Sequence, residues 1–274
     1  MQERVAQFLP LVLGILYLIV TKQPISSSTR LKSFHPLTIL LIIPFTYCLW
    51  PLISIVNMIS LLFSDNVIGN TITNTVITNG FVYSILTMAL LPAVIEEFTF
   101  RGVLYGQYRN QRPVKAIFLS AFCFGLMHMN FNQFCYAFVL GTIFALLVEA
   151  SGSLFASIIM HFLFNATSIF MVFIEQKLKN LLPDVYGNVA DTSLTIHDVV
   201  TVLPALLPIA VGGCLLAYLL YRKIAKLNGN WPEIQSWRDK ESYQLRPNYK
   251  LTGISFYAFT IICLFMCVLI EVIK

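Results

Sequence analysis

The hydrophobic residues of this chain fall into long runs that short polar segments separate. A helix that crosses a membrane needs about 20 mostly apolar residues. The chain has about eight such candidate spans, of which the first, fourth and fifth are short: residues 7–20, 37–63, 80 to beyond 96, 116–129, 134–148, 154–174, 199–221 and 254–270. None alternates between apolar and polar residues as the strands of a membrane barrel do. The pattern predicts an all-α, polytopic transmembrane helical bundle, with residues 1–274 as a single membrane-embedded domain.

Composition supports this fold class and indicates that the lipid bilayer is a partner of the protein. Of the 274 residues, 57% are hydrophobic and 11% are charged. Soluble domains usually carry about 25% charged residues. A chain with so few charges has too little polar surface to face water, so we expect most of its surface to lie in a lipid bilayer.

The net charge of +5 does not indicate a nucleic-acid partner, because the basic residues lie in alternate loops. This distribution is the positive-inside pattern of multi-pass membrane proteins. The basic residues follow the first, third and seventh runs: Lys22, Arg30 and Lys32; Arg109, Arg112 and Lys115; Arg222, Lys223, Lys226, Arg238, Lys240, Arg246 and Lys250. The opposite side has only Lys177 and Lys179 in its longest loop. We therefore predict a location in a cell membrane, with the basic loops inside.

Few ionisable residues interrupt the apolar runs, and those few are the candidates for function. An ionisable side chain at the centre of a membrane helix costs about 2.5–3.5 kcal/mol on insertion scales. Every aspartate lies in a loop or at the end of a run. The strongly polar residues inside or bordering the runs are Glu96, Glu97, Arg101, His128, His161 and Asn165. The structural alternative is that they only bridge helices through hydrogen bonds.

Helical spacing separates the roles of the two adjacent glutamates. Glu97 and Arg101 are at i and i+4 with the acid first, which is the favourable order for an ion pair on one helix face. Glu96 lies about 100° further round the helix and has no such partner. A carboxylate without a neighbouring cation is suited to act as a general base. Pro92, four residues before Glu96, is expected to kink the helix and free a backbone carbonyl.

Two further pairs repeat the i, i+4 spacing on later helices. Phe124 and His128 form one pair, in "FGLMH". His161 and Asn165 form the other, in "HFLFN". Residues at this spacing share a helix face. We therefore expect His161 and Asn165 to point at one place in the bundle core.

These residues together fit three ordered motifs. "EEFTFR" fits EExxxR, "FGLMH" fits FxxxH and "HFLFN" fits HxxxN, on separate predicted helices. In them the chain resembles the CPBP family of intramembrane proteases, which contains the CAAX prenyl proteases and bacterial relatives connected with bacteriocins. The resemblance covers about residues 89–168. It implies that the protein is an endopeptidase that hydrolyses a peptide bond in the membrane.

The resemblance also implies a role for each motif residue. Glu96 and His128 would activate the attacking water, whereas His161 and Asn165 would stabilise the oxyanion. The remaining motif residues would support the site structurally: Glu97, Arg101 and Phe124.

Three alternatives follow for the chemistry of the site. A glutamic-type endopeptidase without a cofactor is favoured, because an acid beside a histidine suffices to activate water and Asn165 is a poor zinc ligand. The second alternative is a zinc-dependent metalloprotease with Glu96, His128 and His161 as ligands. The third is a non-catalytic bacteriocin self-immunity protein that uses the same polar pocket to bind a peptide.

The expected substrate is a membrane-associated peptide or protein. The chain is rich in Ile, Phe and Asn, which is typical of AT-rich bacterial genomes. Bacteria generally lack prenylated CAAX proteins. We therefore expect a bacterial cell-membrane protease that acts on a peptide pheromone, a bacteriocin precursor or another membrane protein.

Overall fold

A computed structural model describes residues 2–110, 112–183, 194–237 and 252–273, and every element assigned in these ranges is helical. We number the helices in chain order: α1 Gln2–Val20, α2 Ile25–Thr29, α3 Leu37–Ser60, α4 Val67–Asn79, α5 Phe81–Tyr108, α6 Pro113–Met127, α7 Phe131–Ser151, α8 Leu154–Leu181, α9 Ile196–Leu227, α10 Trp231–Ser236 and α11 Ile254–Ile273. Four of the basic residues named above lie outside the described ranges: Arg238, Lys240, Arg246 and Lys250. Three of the aspartates do as well: Asp184, Asp191 and Asp239.

Five of the described helices, α3, α5, α7, α8 and α9, are long and apolar enough to cross a membrane. Shorter apolar helical segments occur at Phe8–Val20, Pro113–Met127 and Phe256–Leu269. Together these helices correspond to the predicted runs, so the protein is a polytopic, all-α, multi-pass membrane protein as predicted. The number of about eight spans stays a prediction, because these three apolar segments are shorter than a membrane crossing requires.

The helix boundaries correct three details of the hydropathy pattern. The fifth predicted span is not short, since α7 covers Phe131–Ser151. The sixth continues to Leu181, so the prediction that Lys177 and Lys179 lie in a loop was wrong. Helix α4 was not predicted at all, because its Asn- and Thr-rich sequence gives no apolar run.

The core forms where α7 packs among its neighbours. Helix α6 packs along α7, α3 packs along α9, and α8 contacts both α3 and α7. Helix α7 is the most buried of the five candidate spans, with 61% of its apolar stretch buried inside the protein. The main hydrophobic cluster contains residues from six helices, among them Phe45, Phe100, Phe124, Phe144, Met160 and Ile224.

The loops after the first, third, fifth and seventh predicted spans meet at one end of the bundle. The buried carboxylate of Glu149 is 2.7 Å from Nη1 of Arg30 and 3.5 Å from Nη1 of Arg109. The side chain of Asn230 donates a hydrogen bond to the carbonyl of Ala150 at 3.0 Å. The loops that the positive-inside pattern places on one side of the membrane therefore lie at the same end of the bundle. We call this end the basic end.

Candidate active site

Helix α5 carries the first motif and is not a regular α-helix. Its Leu91–Glu97 segment lies between two π-helical segments, Ile85–Leu90 and Phe98–Tyr105. Wider π-helical turns interrupt the usual hydrogen bonds and frequently occur at functional sites. The motif therefore lies where backbone carbonyl groups are free to accept hydrogen bonds from side chains of neighbouring helices.

Side chains of other helices bind two carbonyls of α5. Pro92 has no N–H and cannot bond the carbonyl four residues earlier, which belongs to Met88. Nδ2 of Asn165 donates to that carbonyl at 3.3 Å. In the second π-helical segment, Oγ of Ser120 donates to the carbonyl of Phe100 at 2.8 Å. These bonds tie α5 to α8 and α6, and the first is in line with the carbonyl expected from Pro92.

The predicted ion pair between Glu97 and Arg101 is confirmed. Oε1 of Glu97 lies 2.8 Å from Nη1 of Arg101, and both side chains are fully buried. The guanidinium carbon lies 4.2 Å from the ring centroid of Phe124 and 5.1 Å from that of Phe144. Two aromatic faces thus supply cation–π attraction to a cation that has lost its water.

Gly141 on α7 makes room for this arginine. A Cβ atom at this position would lie 2.7 Å from Nη2 of Arg101, which is too close for any real contact. Glycine in a helix interior costs about 1 kcal/mol relative to alanine. Here the absence of a side chain allows α7 to pack directly against the guanidinium.

His161 joins the two glutamates. Its Nδ1 lies 3.1 Å from Oε1 of Glu97, and its Nε2 lies 3.8 Å from Oε2 of Glu96. A carboxylate oxygen of the ion pair can only accept, so Nδ1 of His161 carries the proton. Sequence spacing assigned Glu97 to Arg101 alone, whereas the structure shows that the same oxygen also orients the histidine.

The ring of His128 is oriented by its own helix. Nδ1 lies 2.9 Å from the carbonyl oxygen of Phe124 and must donate to it, since a carbonyl only accepts. In the neutral ring Nε2 is then an acceptor. The ring also meets that of Phe124 edge-on at 5.0 Å. The structure records no hydrogen bond between His128 and Glu96, although the two residues line the same cavity.

All four candidate catalytic side chains line one cavity of about 150 Å³, which we call the reaction pocket: Glu96, His128, His161 and Asn165. The Glu96 side chain is 27% exposed, whereas that of Glu97 is fully buried. Water can therefore reach Glu96 and not Glu97. This difference agrees with the division of roles that helical spacing predicts; the catalytic roles themselves stay predictions.

The depth of the site follows from helix lengths at 1.5 Å per residue. Counted from the basic end, His161 lies about 10 Å, Asn165 about 16 Å and Glu96 about 18 Å along their helices. Helix α6 has 15 residues and is therefore only about 22 Å long. His128 follows its last residue, so it lies about 4–6 Å beyond Glu96 and Asn165 instead of at the far side of a bilayer core about 30 Å thick.

Two aromatic residues of the reaction pocket were missed by the motif reasoning. Phe144 is fully buried and stacks on the ring of His161, with centroids 4.9 Å apart and an interplanar angle of 20°. Tyr136 lines the pocket from the same helix. Helical spacing places Phe144 on one face with Ala137 and Leu140, but in an apolar helix such residues give no contrast that singles them out.

The described residues contain no group of three His, Cys, Asp or Glu side chains arranged to hold a metal ion. His161 and Glu96 approach each other, but His128 does not complete a ligand set with them. The geometry of these side chains therefore does not fit a bound zinc ion without rearrangement.

Comparison with known proteins gave one match. Residues 78–167 match the family model described as type II CAAX prenyl endopeptidase Rce1-like. Comparison with curated proteins and with solved structures found no match. The matched segment includes the two glutamates of α5, His128, and the His161–Asn165 pair, and the match supports the resemblance to the CPBP family of intramembrane proteases.

Proposed function

We propose that this protein is a glutamic-type intramembrane endopeptidase that cuts a peptide bond of a membrane-associated peptide or protein. One observation carries the proposal: an accessible carboxylate, two histidines with oriented rings and an amide line a single cavity among membrane helices. The family match supports intramembrane endopeptidase activity in general. The roles of the individual residues are proposed from the resemblance and from the geometry of the cavity.

In this mechanism Glu96 removes a proton from a water molecule as the water oxygen attacks the scissile carbonyl. His128 helps to hold that water, because Nε2 is the acceptor nitrogen when Nδ1 donates to the Phe124 carbonyl. The proton on Glu96 then passes to the leaving amide nitrogen as the carbon–nitrogen bond breaks. The products are a carboxylate and an amine.

His161 and Asn165 stabilise the negative oxygen that forms during the attack. Nδ1 of His161 is committed to Glu97, so Nε2 donates to the oxyanion when the ring carries both protons. Nδ2 of Asn165 supplies the second donor after exchanging its bond to the Met88 carbonyl. One such donor typically contributes about 2.7–4 kcal/mol to the transition state.

A zinc-dependent mechanism is the second candidate, and one observation supports it: the orientation of the two histidine rings. Metal-binding histidines usually donate their second ring nitrogen to a carbonyl or carboxylate. His128 and His161 both do so, with Phe124 and Glu97 as partners. Zinc would require Glu96 and both histidines to converge further than they do, and we therefore favour the metal-free reaction.

The test uses purified full-length protein in detergent and a library of quenched fluorescent peptides with uncharged central residues. Cleavage is read by fluorescence and by mass spectrometry of the new termini in heavy-oxygen water, which labels the new carboxylate. We expect Glu96→Gln to lose about 10²–10⁴-fold in rate. The matched control is Glu175→Gln, since Glu175 is exposed and lies far along α8.

Equal cleavage by the wild-type protein and Glu96→Gln would refute the glutamate-base mechanism. Loss of activity on chelation, restoration by zinc and one zinc per chain by elemental analysis would favour the metalloprotease. Peptide binding without any cleavage by the wild-type protein would favour the non-catalytic immunity protein.

A further inference from the structure

A cavity of about 800 Å³ lies between α1, α5, α6 and α11, and we call it the apolar chamber. It shares none of the described residues that line the reaction pocket. Its described lining contains no charged side chain and is mainly hydrocarbon and aromatic, as in Leu13, Val103, Leu119, Met127 and Phe256. Three residues of its α1 wall are also exposed, so the chamber is open to the lipid around the helices: Leu9, Leu13 and Tyr17.

The length of the apolar chamber matches the depth of one leaflet of the bilayer. Its α1 wall extends from Leu9 to Tyr17 and its α5 wall from Thr99 to Tyr108, with the two tyrosines nearer to the basic end. Eight or nine helical steps correspond to about 12–14 Å. The hydrocarbon core of a bilayer is about 30 Å thick, so one leaflet contributes about 15 Å. The chamber therefore lies at the depth of the hydrocarbon chains in the leaflet at the basic end.

A smaller cavity of about 250 Å³ adjoins the apolar chamber at the basic end, and we call it the polar pocket. Gln107 lines both cavities. The described lining of the polar pocket contains no acidic side chain, and apart from Gly106 its other members are polar or basic: Gln23, Ser27, Ser28, Arg109 and Asn110. The two cavities thus match the two parts of a phospholipid, whose acyl chains are apolar and whose headgroup is polar.

Two amides form the boundary between the cavities. Nε2 of Gln23 donates to Oε1 of Gln107 at 2.9 Å, and Nε2 of Gln107 donates to Oε1 of Gln23 at 2.8 Å. The hydroxyl of Tyr17 donates to the same oxygen of Gln107 at 3.4 Å. Each amide has two N–H donors, and these bonds use one of them. Within the described part of the chain the second N–H of each amide has no recorded acceptor, so it can bond a phosphate or ester oxygen.

Arg109 supplies the positive charge of the polar pocket. A guanidinium carries five N–H donors in a planar arrangement that matches the oxygens of a phosphate. The carboxylate beside it, that of Glu149, is 3.5 Å from Nη1 of Arg109 and bonds more closely to Arg30, at 2.7 Å. Among the described residues the other donors of this guanidinium have no recorded hydrogen-bond partner, so they are available to an anion in the pocket.

We propose that the apolar chamber and the polar pocket together bind one anionic phospholipid. One acyl chain lies in the chamber, and the phosphate accepts hydrogen bonds from Arg109 and Gln107. The positive-inside pattern places the basic end in the cytoplasmic leaflet, whose surface is negative because of its anionic lipids. The inference does not rest on the proposed function, because the lipid does not enter the reaction pocket.

The bound lipid also supports α5. Phe100 and Val103 line the apolar chamber and belong to the second π-helical segment, which carries Arg101. An acyl chain in the chamber packs against this segment and against α1. Because a ligand that binds only the folded protein stabilises it, we expect the lipid to raise Tm.

The first experiment compares two lipids on the full-length protein after delipidation in detergent. Dioleoyl-phosphatidylglycerol is anionic, whereas dioleoyl-phosphatidylcholine has the same acyl chains and no net charge. Native mass spectrometry measures how much of each lipid the protein retains during a titration, and thermal unfolding measures the rise in Tm. We expect the anionic lipid to bind about 5-fold more tightly, since one cation near a membrane surface typically contributes this much. Equal affinities for the two lipids would overturn the proposal.

The second experiment fills the apolar chamber. Leu13→Trp places a larger ring in it from α1, and we expect this to weaken binding of dioleoyl-phosphatidylglycerol by roughly 10–200-fold. The matched control is Leu16→Trp, because Leu16 is similarly exposed on α1 and lines neither cavity. Equal binding by these two variants would refute the position of the acyl chain.

The third experiment tests the polar pocket. Arg109→Gln should lose the preference for the anionic lipid, whereas Arg109→Lys, which keeps the charge, should retain most of it. An unchanged preference in Arg109→Gln would refute the position of the phosphate. Glycerol phosphate has the charged group without acyl chains and should not displace the lipid. Displacement at concentrations similar to that of the lipid would show a site for soluble phosphates, and the phospholipid assignment would be wrong.

Discussion

Glu97→Gln removes the carboxylate that neutralises a fully buried arginine. Arg101 lies 2.8 Å from Glu97, and both side chains have no exposed surface. Nε and Nη2 of the guanidinium have no recorded hydrogen-bond partner, so the carboxylate provides its main polar compensation. Removing one member of a buried ion pair typically costs about 3–5 kcal/mol, because the other charge stays buried without a partner.

The expected effect is large enough to measure by thermal unfolding in detergent. A change of 1 kcal/mol shifts the midpoint by about 2–4 °C in proteins of this size class, so we expect Glu97→Gln to lower Tm by roughly 6–20 °C. The control is Glu175→Gln, whose ion pair with Lys179 is exposed. Exposed pairs contribute about 0–1 kcal/mol, so its Tm should hardly change.

A double variant separates stability from activity. In Glu97→Gln/Arg101→Met both charges are gone, and replacing a buried pair by uncharged groups is often neutral. We expect most of the lost Tm to return. Peptidase activity should stay low, because Nδ1 of His161 has lost its carboxylate acceptor. A Tm of the single variant within about 2 °C of wild type would refute the reasoning, since the arginine would then have other compensation.

Two further predictions concern the packing around the site. Phe144→Leu should lower kcat about 10-fold with little change in KM, because the ring stacks on His161 at 4.9 Å and holds its orientation; steady-state kinetics on the peptide library would check this, and a rise in KM alone would contradict it. Ser120→Ala should reduce stability by about 1–3 kcal/mol by leaving the buried carbonyl of Phe100 without its donor. Thermal unfolding measures that loss, and an unchanged midpoint would show that the π-helical carbonyl finds another partner.

The sequence by itself determined the elements whose signals are local. Long apolar runs predict membrane helices because lipid requires about 20 such residues per crossing. The i, i+4 rule correctly paired Glu97 with Arg101, since neighbours on one helix face depend only on helical geometry. The three motifs likewise indicated a resemblance that the match over residues 78–167 supports.

Only the tertiary structure decided how the helices complete the site. The bond between His161 and Glu97, the stacking of Phe144 and the space left by Gly141 are contacts between different helices. Apolar and small residues in an apolar helix have no contrast with their neighbours, so a sequence pattern cannot select them. The level of His128 depends on where short α6 stops relative to its longer neighbours. Packing sets that relation, because a hydrophobic run fixes a helix's length but not its position against the other helices.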